Sequence, residues 1–213
     1  MPMRHVLTSA ALLALFAVLG TAIVAFVFDQ TEEQIAANER AALLGSLNEI
    51  VPAERYDNAI LTDVIEFEDA ELNPDGPVTA YRARAGAAPV AVVLALIAPD
   101  GYGGPIKLLV GINADGSLAG VRVVNHHETP GLGDAIDTRR SNWILGFTGR
   151  SLGDPSPAQW AVRKDGGVFD QFTGATITPR AVVKAVKRAL VYFEAHRDTL
   201  FADGKTPEET PHG

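Results

Sequence analysis

The sequence of 213 residues predicts an α+β protein: a single amino-terminal transmembrane helix, then an antiparallel-sheet domain with flanking helices. Three observations carry that prediction. A long stretch near the amino end holds no charge, short apolar runs in the middle are separated by turn residues, and an amphipathic helical pattern closes the chain.

The uncharged stretch is VLTSAALLALFAVLGTAIVAFVF, twenty-three residues from Val6 to Phe28. As a helix it is roughly 35 Å long at about 1.5 Å per residue, enough to cross the hydrocarbon core of a bilayer. A cleaved signal peptide has a shorter apolar region, about 7–15 residues, and a small-residue cleavage site after it. Neither feature is present, so the stretch reads as an uncleaved anchor in contact with membrane lipid. Arg4 and His5 precede it, while Asp29, Glu32 and Glu33 follow. Basic residues stay on the cytoplasmic side. The expectation is a cytoplasmic amino terminus, with the domain on the periplasmic side of a bacterial inner membrane.

After the span, Ile35, Leu43, Leu47 and Ile50 recur at helical spacing and Pro52 marks a stop. This predicts a connecting helix within residues 29–52, between the anchor at 1–28 and a domain at 53–200. Strands are predicted over Val78–Ala85, which alternates, over the apolar run Pro89–Pro99, and over Pro105–Ile112. The turn NADGS then leads into LAGVRVVNH, and an Asp-Gly pair between two apolar runs signals a hairpin. Strands joined by short turns favour antiparallel pairing. From Pro179 to about His196, the residues Val182, Val186, Ala189, Leu190 and Phe193 form an apolar stripe, with Arg180, Lys184, Lys187 and Arg188 opposite it. Thr178 is the expected N-cap, with Pro179 at the first helical position. The end of the chain, 201–213, is polar and Pro-rich and reads as a disordered tail.

Composition narrows the function. The absence of cysteine excludes disulfides, cysteine-ligated iron–sulfur clusters, c-type haem attachment and thiol catalysis. A redox role therefore needs a cofactor held some other way. A net charge of −8 without a basic run argues against nucleic acid as a partner.

The stretch DQFTGATITPRAVVKAV, from Asp170 to Val186, places a flexible hydroxyl-rich elbow at a helix start. A helix start presents unpaired N–H groups and the positive end of the dipole, a favourable place for phosphate. Gly174 permits unusual torsions and close approach, Ala175 adds little bulk, and Thr176 supplies a hydroxyl. The elbow can bind a phosphate, be joined to one, or serve only as turn and cap. Thr176 as a nucleophile with His126 or His127 as base is a further alternative, without a Gly-x-Ser-x-Gly elbow to support it. In HHETPGLGD the adjacent histidines point to opposite faces of a strand, which argues against a metal site. The turn GYGGPI lacks the P-loop lysine and the dinucleotide spacing, and reads as a tight strand connection with Tyr102 near the site. Trp143, Trp160 and Phe172 are core aromatics by default and ring-stacking candidates otherwise.

Taken together, GYGGPIKLLVGI, HHETPGLGD, SNWILGF and DQFTGATITPRAVVKAV resemble the G subunit of the Rnf-type ion-translocating ferredoxin:NAD⁺ oxidoreductase. The chain is also similar to the related C subunit of the sodium-translocating NADH:quinone reductase. The resemblance covers nearly the whole chain and implies an FMN-binding domain. It implies that the motif Asp170, Thr173, Gly174, Ala175 and Thr176 binds FMN, attached through its phosphate to the Thr176 hydroxyl. A Mg²⁺-dependent FAD:protein FMN transferase is the implied maturation partner, and other subunits of a membrane oxidoreductase complex the implied assembly. Glu128, Thr129, Pro130, Gly131, Leu132 and Gly133 are implied to form part of the flavin pocket, with Leu132 over the ring. Phe172 and Thr173 stand where the family often has Ser or Gly. The implied role is an electron-relaying subunit of a redox-driven ion translocase, not catalytic alone. A redox-silent anchored binding or assembly module is the reading of another class.

Overall fold

The structure, a computed structural model, describes residues 2–202. Of the tail expected over 201–213, Phe201 belongs to the last helix and packs edge-on against Phe193, Ala202 follows as its cap, and the residues from 203 onward lie outside the described residues. The chain divides after Leu44 into two compact units.

The first unit is helical. The helix α1 (Pro2–Ile50) runs without a break through both the expected anchor and the expected connecting helix. It is long and apolar enough to cross a membrane, and Leu13, Phe16, Val24 and Phe26 are all exposed along it. It stops before Pro52, as the sequence predicts.

The second unit, from Gly45 onward, is built on a five-stranded sheet. Its strands are β1 (Val64–Phe67), β2 (Val78–Ala85), β3 (Ala88–Ala98), β4 (Ile106–Asn113) and β5 (Leu118–Asn125). They lie in sequence order, and every neighbour pair is antiparallel. The Asp-Gly turn closes β4 onto β5 as expected, with the Gly116 N–H donating to the Asn113 carbonyl. β1 has no counterpart among the expected strands. It is four residues long and flanked by Asp63 and Glu68, too short and too charged to give a period.

The helix α2 (Ile177–Phe201) packs across one sheet face. Val92, Leu94 and Leu96 of β3 alternate with Leu108, Val110 and Ile112 of β4 on that face, and Val182, Val186, Leu190 and Phe193 meet them from the helix. Each such side chain removed from water contributes about 1.5–3 kcal/mol. On the other face Gly111 pairs with Gly120, and this leaves a notch for the end of α1. A Cβ on Gly111 would lie 2.1 Å from Ile50 Cγ2, so the glycine is required by the close approach. Arg122 secures the same junction, with Nε donating to the Glu49 carboxylate at 2.8 Å and Nη2 to the Glu49 carbonyl at 3.0 Å.

α2 extends beyond the expected end at His196, where φ −124° and ψ 17° mark a kink. Two observations explain the extension. Leu200 is buried, and the last carbonyls have donors from β2: Arg84 Nη2 reaches the Phe201 carbonyl at 2.8 Å and Arg82 Nη1 the Ala202 carbonyl at 2.6 Å. Asp63 pairs with both arginines. The start of α2 differs from expectation too. Thr178 is not the N-cap: the helix begins at Ile177 with Thr176 in the cap position, and Thr178 is fully buried inside the first turn.

Candidate functional site

The elbow before α2 is a tight turn. The Ala175 N–H donates to the Phe172 carbonyl at 3.1 Å, and Gly174 has φ +82°. A positive φ at the third position of such a turn is the type II signature, and it favours glycine there. Thr176 follows with helical torsions and makes no side-chain capping bond, so its hydroxyl is not committed to the helix. The amides of Ile177 and Thr178 have no intrahelical carbonyl to donate to. Pro179, next in line, has no N–H at all.

Thr178 and Glu128 explain how this elbow meets two other loops. Glu128 is 5% exposed, and its carboxylate accepts from Thr178 Oγ1 at 2.5 Å and from the Gly103 N–H at 3.0 Å. One side chain thus joins the turn between β3 and β4, the loop after β5 and the first turn of α2. The surrounding glycines make room for it. A Cβ on Gly133 would lie 2.6 Å from Glu128 Oε2 and 2.8 Å from Thr178 Oγ1, and one on Gly101 would lie 2.8 Å from Glu128 Oε1. The Glu128 amide in turn donates to His126 Nδ1 at 3.1 Å.

Around this clasp opens a cleft of about 320 Å³, lined by Tyr102, Glu128, Thr129, Leu132, Gly133 and the run Gly174–Thr178. That is the lower end of the range for small-molecule sites. Tyr102, Leu132 and Ile177 are 70%, 44% and 46% exposed, so large apolar groups rim it and face solvent. Among the described residues no lysine, arginine or histidine lines it. The nearby cations are already matched: Arg163 pairs with Asp170 at 2.9 Å, Arg180 with Asp165 at 2.6 Å, and Lys184 with Asp100 at 2.5 Å. Hydrogen bonds from Arg180 and Lys184 hold the Asp165 and Asp100 carboxyls below the usual carboxylate range. Arg139 does the same for Asp137 in the loop beyond Gly133.

An aromatic column supports the elbow from inside. Trp160, Phe169 and Phe147 stack in the core, with the Phe147 and Phe169 centroids 4.6 Å apart. Trp143 meets Phe147 and Phe172 edge-on at 5.3 and 5.2 Å, and its indole N–H donates to the Asp170 carbonyl at 2.8 Å. Edge-to-face contacts of this kind add about 0.5–1.5 kcal/mol each beyond burial. Trp143, Trp160 and Phe172 therefore brace the elbow and do not line the cleft.

The candidate residues divide accordingly. Glu128, Thr129, Leu132, Gly133, Gly174, Ala175 and Thr176 come together in the cleft. Pro130 and Gly131 line a separate hollow of about 270 Å³ beside Asp134 and Arg140. Asp170 and Thr173 are exposed on the outer side of the turn. Ile177 and Thr178 line the cleft as well, although the sequence pattern assigns them no binding role. Their apolar and hydroxyl character beside the motif is the signal that could have found them.

Fold and cleft define the class: an FMN-binding domain behind an amino-terminal apolar helix. The profile of the FMN-binding domain matches residues 101–191, and that of the RnfG N-terminal region matches residues 1–50. The G subunit of the ion-translocating oxidoreductase complex of Shewanella loihica is 52% identical, over 92% of this chain and 93% of its own length. That of Pseudomonas aeruginosa is 53% identical, over 97% of this chain and 95% of its own, and that of Vibrio cholerae 49%, over 89% and 90%. The chain belongs to this family, the G subunits of ion-translocating oxidoreductase complexes.

Proposed function

We propose that this chain is a membrane-anchored flavoprotein subunit that holds FMN by a phosphoester to Thr176 Oγ1 and relays electrons inside an ion-translocating oxidoreductase complex. One observation carries the covalent part. The cleft offers a phosphate two helix amides and a free hydroxyl, but no cationic side chain among the described residues, and its floor already holds the Glu128 carboxylate. Backbone amides suit an anion, yet a charge-poor cleft open to solvent holds a free nucleotide weakly. A bond to Thr176 removes that weakness by keeping the group at high effective concentration, about millimolar or more.

The residues fit the group in other ways. Tyr102, Leu132 and Ile177 are exposed apolar surface suited to a flat ring. Thr178 is already bonded to Glu128 and Thr173 does not line the cleft, so of the three threonines between Asp170 and Val186 only Thr176 is both in the cleft and uncommitted. Bound FMN supplies one- or two-electron transfer between neighbouring centres. Attachment needs an FAD:protein FMN transferase. The Thr176 oxygen forms the new P–O bond, the pyrophosphate link of FAD breaks, AMP leaves, and the hydroxyl proton is released. Residues 1–28 serve as the anchor, 29–52 as the connecting helix and 53–200 as the flavin domain, placed on the periplasmic side with the amino terminus in the cytoplasm. Asp170, Thr173, Pro130 and Gly131 shape the elbow and loop from outside the cleft.

Intact mass of the full chain, purified from a host carrying the transferase, tests this directly. The expected mass exceeds that of the polypeptide by one FMN phosphoester, and the denatured band fluoresces under ultraviolet light. Thr176→Ala is expected to abolish both. A bare polypeptide mass from the native host would leave a redox-silent anchored module as the reading.

A further inference from the structure

We infer that Glu128 sets the reduction potential of the group held on Thr176, by fixing a negative charge in the cleft, and that Thr178 moderates that charge by hydrogen bonding to it. The inference rests on the reading that FMN occupies this cleft.

A clasp that only joined three loops would not need an acid. Both groups bonded to the Glu128 carboxylate, the Gly103 amide and the Thr178 hydroxyl, are neutral donors, and among the described residues no lysine or arginine pairs with it. This is unusual in the domain. The other buried acids have cations: Asp134 lies 3.3 Å from Arg140, and Asp137 pairs with Arg139 at 2.5 Å. Burying a charge without a counter-charge is costly, and it persists here because two good donors solvate it. A Cβ at position 101 or 133 would collide with one of its two oxygens, so glycine at both positions leaves the space the carboxylate occupies.

A fixed negative charge beside a redox ring opposes the arrival of electrons, and at 5% exposure the Glu128 carboxylate is less screened than a surface charge. Glu128 therefore lowers the potential. Removing the charge raises it. Removing the Thr178 hydroxyl has the opposite sign, because the carboxylate remains and loses its closer donor. A packing role alone predicts no such reversal.

The test compares full-length wild type, Glu128→Gln and Thr178→Val, purified in detergent from a host carrying the transferase. Each is first checked by intact mass for the FMN adduct, then titrated spectroscopically against redox mediators. Glu128→Gln is expected to shift the one-electron equilibrium toward the reduced form about tenfold, a rise of about 59 mV. Thr178→Val is expected to move it the other way. If Glu128→Gln does not assemble, the downward shift in Thr178→Val stands alone as the supporting result. Equal potentials in adduct-bearing proteins, or shifts of the same sign in both variants, overturn the inference while leaving the flavin reading intact. A wild-type chain without the adduct overturns that reading and the inference with it.

Discussion

Single residues decide the site through what they leave empty. Gly174 is in the elbow because its φ of +82° is hard for any residue with a Cβ, although a Cβ there would only touch Leu132 at 3.5 Å. Gly174→Ala is therefore a backbone effect. It should cost about 1 kcal/mol, lowering the melting temperature by roughly 2–4 °C and slowing adduct formation. Gly133 is different, since its Cβ would collide with Glu128 and Thr178. Gly133→Ala should cost about 1–3 kcal/mol as overpacking and deform the cleft itself. Melting curves with the adduct yield measured by intact mass distinguish the two. An unchanged yield in Gly133→Ala would mean that the clasp does not shape the flavin site.

Elements are held at their ends more than along their lengths. The last carbonyls of α2 rest on Arg82 and Arg84, and these rest on Asp63. Arg82 is 6% exposed, so Arg82→Met removes one of the two arginines on Asp63 and the donor to the Ala202 carbonyl, leaving Arg84 in place. The expected loss is about 1.5–3 kcal/mol, that of hydrogen bonds to a charged group, visible as a lower denaturation midpoint with an unchanged slope. Pairs whose cation is exposed contribute less individually but set the acid limit together. In the folded state Asp100, Asp137 and Asp165 keep their carboxyls ionised to lower pH than usual, each through a hydrogen-bonded cation. The unfolded chain therefore takes up protons first as pH falls. Stability is fully present above the ordinary carboxylate value of about 3.9 and is lost below it. Melting temperature should fall as pH drops from about 4.5 toward 3, and Asp137→Asn should blunt that fall. A flat profile across the same range would remove these pairs from the account.

At the scale of the whole molecule, the apolar helix and the domain make separate demands. The exposed side chains from Val6 to Phe28 need lipid, whereas the domain closes its own core. The chain should sediment with membranes and be released only by detergent. Deletion of residues 1–28 should move it to the soluble fraction, with its flavin adduct retained if the transferase meets it in the same compartment. A reporter active only outside the cytoplasm, fused after Ala202, should be active if the proposed orientation holds. Activity only in the cytoplasmic version would reverse the orientation.

The apolar span, the antiparallel strands, the Asp-Gly hairpin and the stripe of α2 could all be read from the chain, because each repeats a local pattern. Val182, Val186 and Phe193 announce a buried face by spacing alone. β1 could not, since four residues between charges carry no period. The clasp could not either. Glu128 and Thr178 stand fifty positions apart, and nothing near Thr178 distinguishes a helix cap from a buried hydroxyl. The same holds for Phe147 and Phe169, whose stacking beneath the elbow joins distant segments. Short-range order follows from bonded geometry and side-chain pattern, so the elements and the hydroxyl-rich elbow belong to the sequence. The bond between Glu128 and Thr178, which leaves Thr176 as the uncommitted hydroxyl, and the rings that brace the turn depend on contacts between remote segments. Only chain packing brings those together.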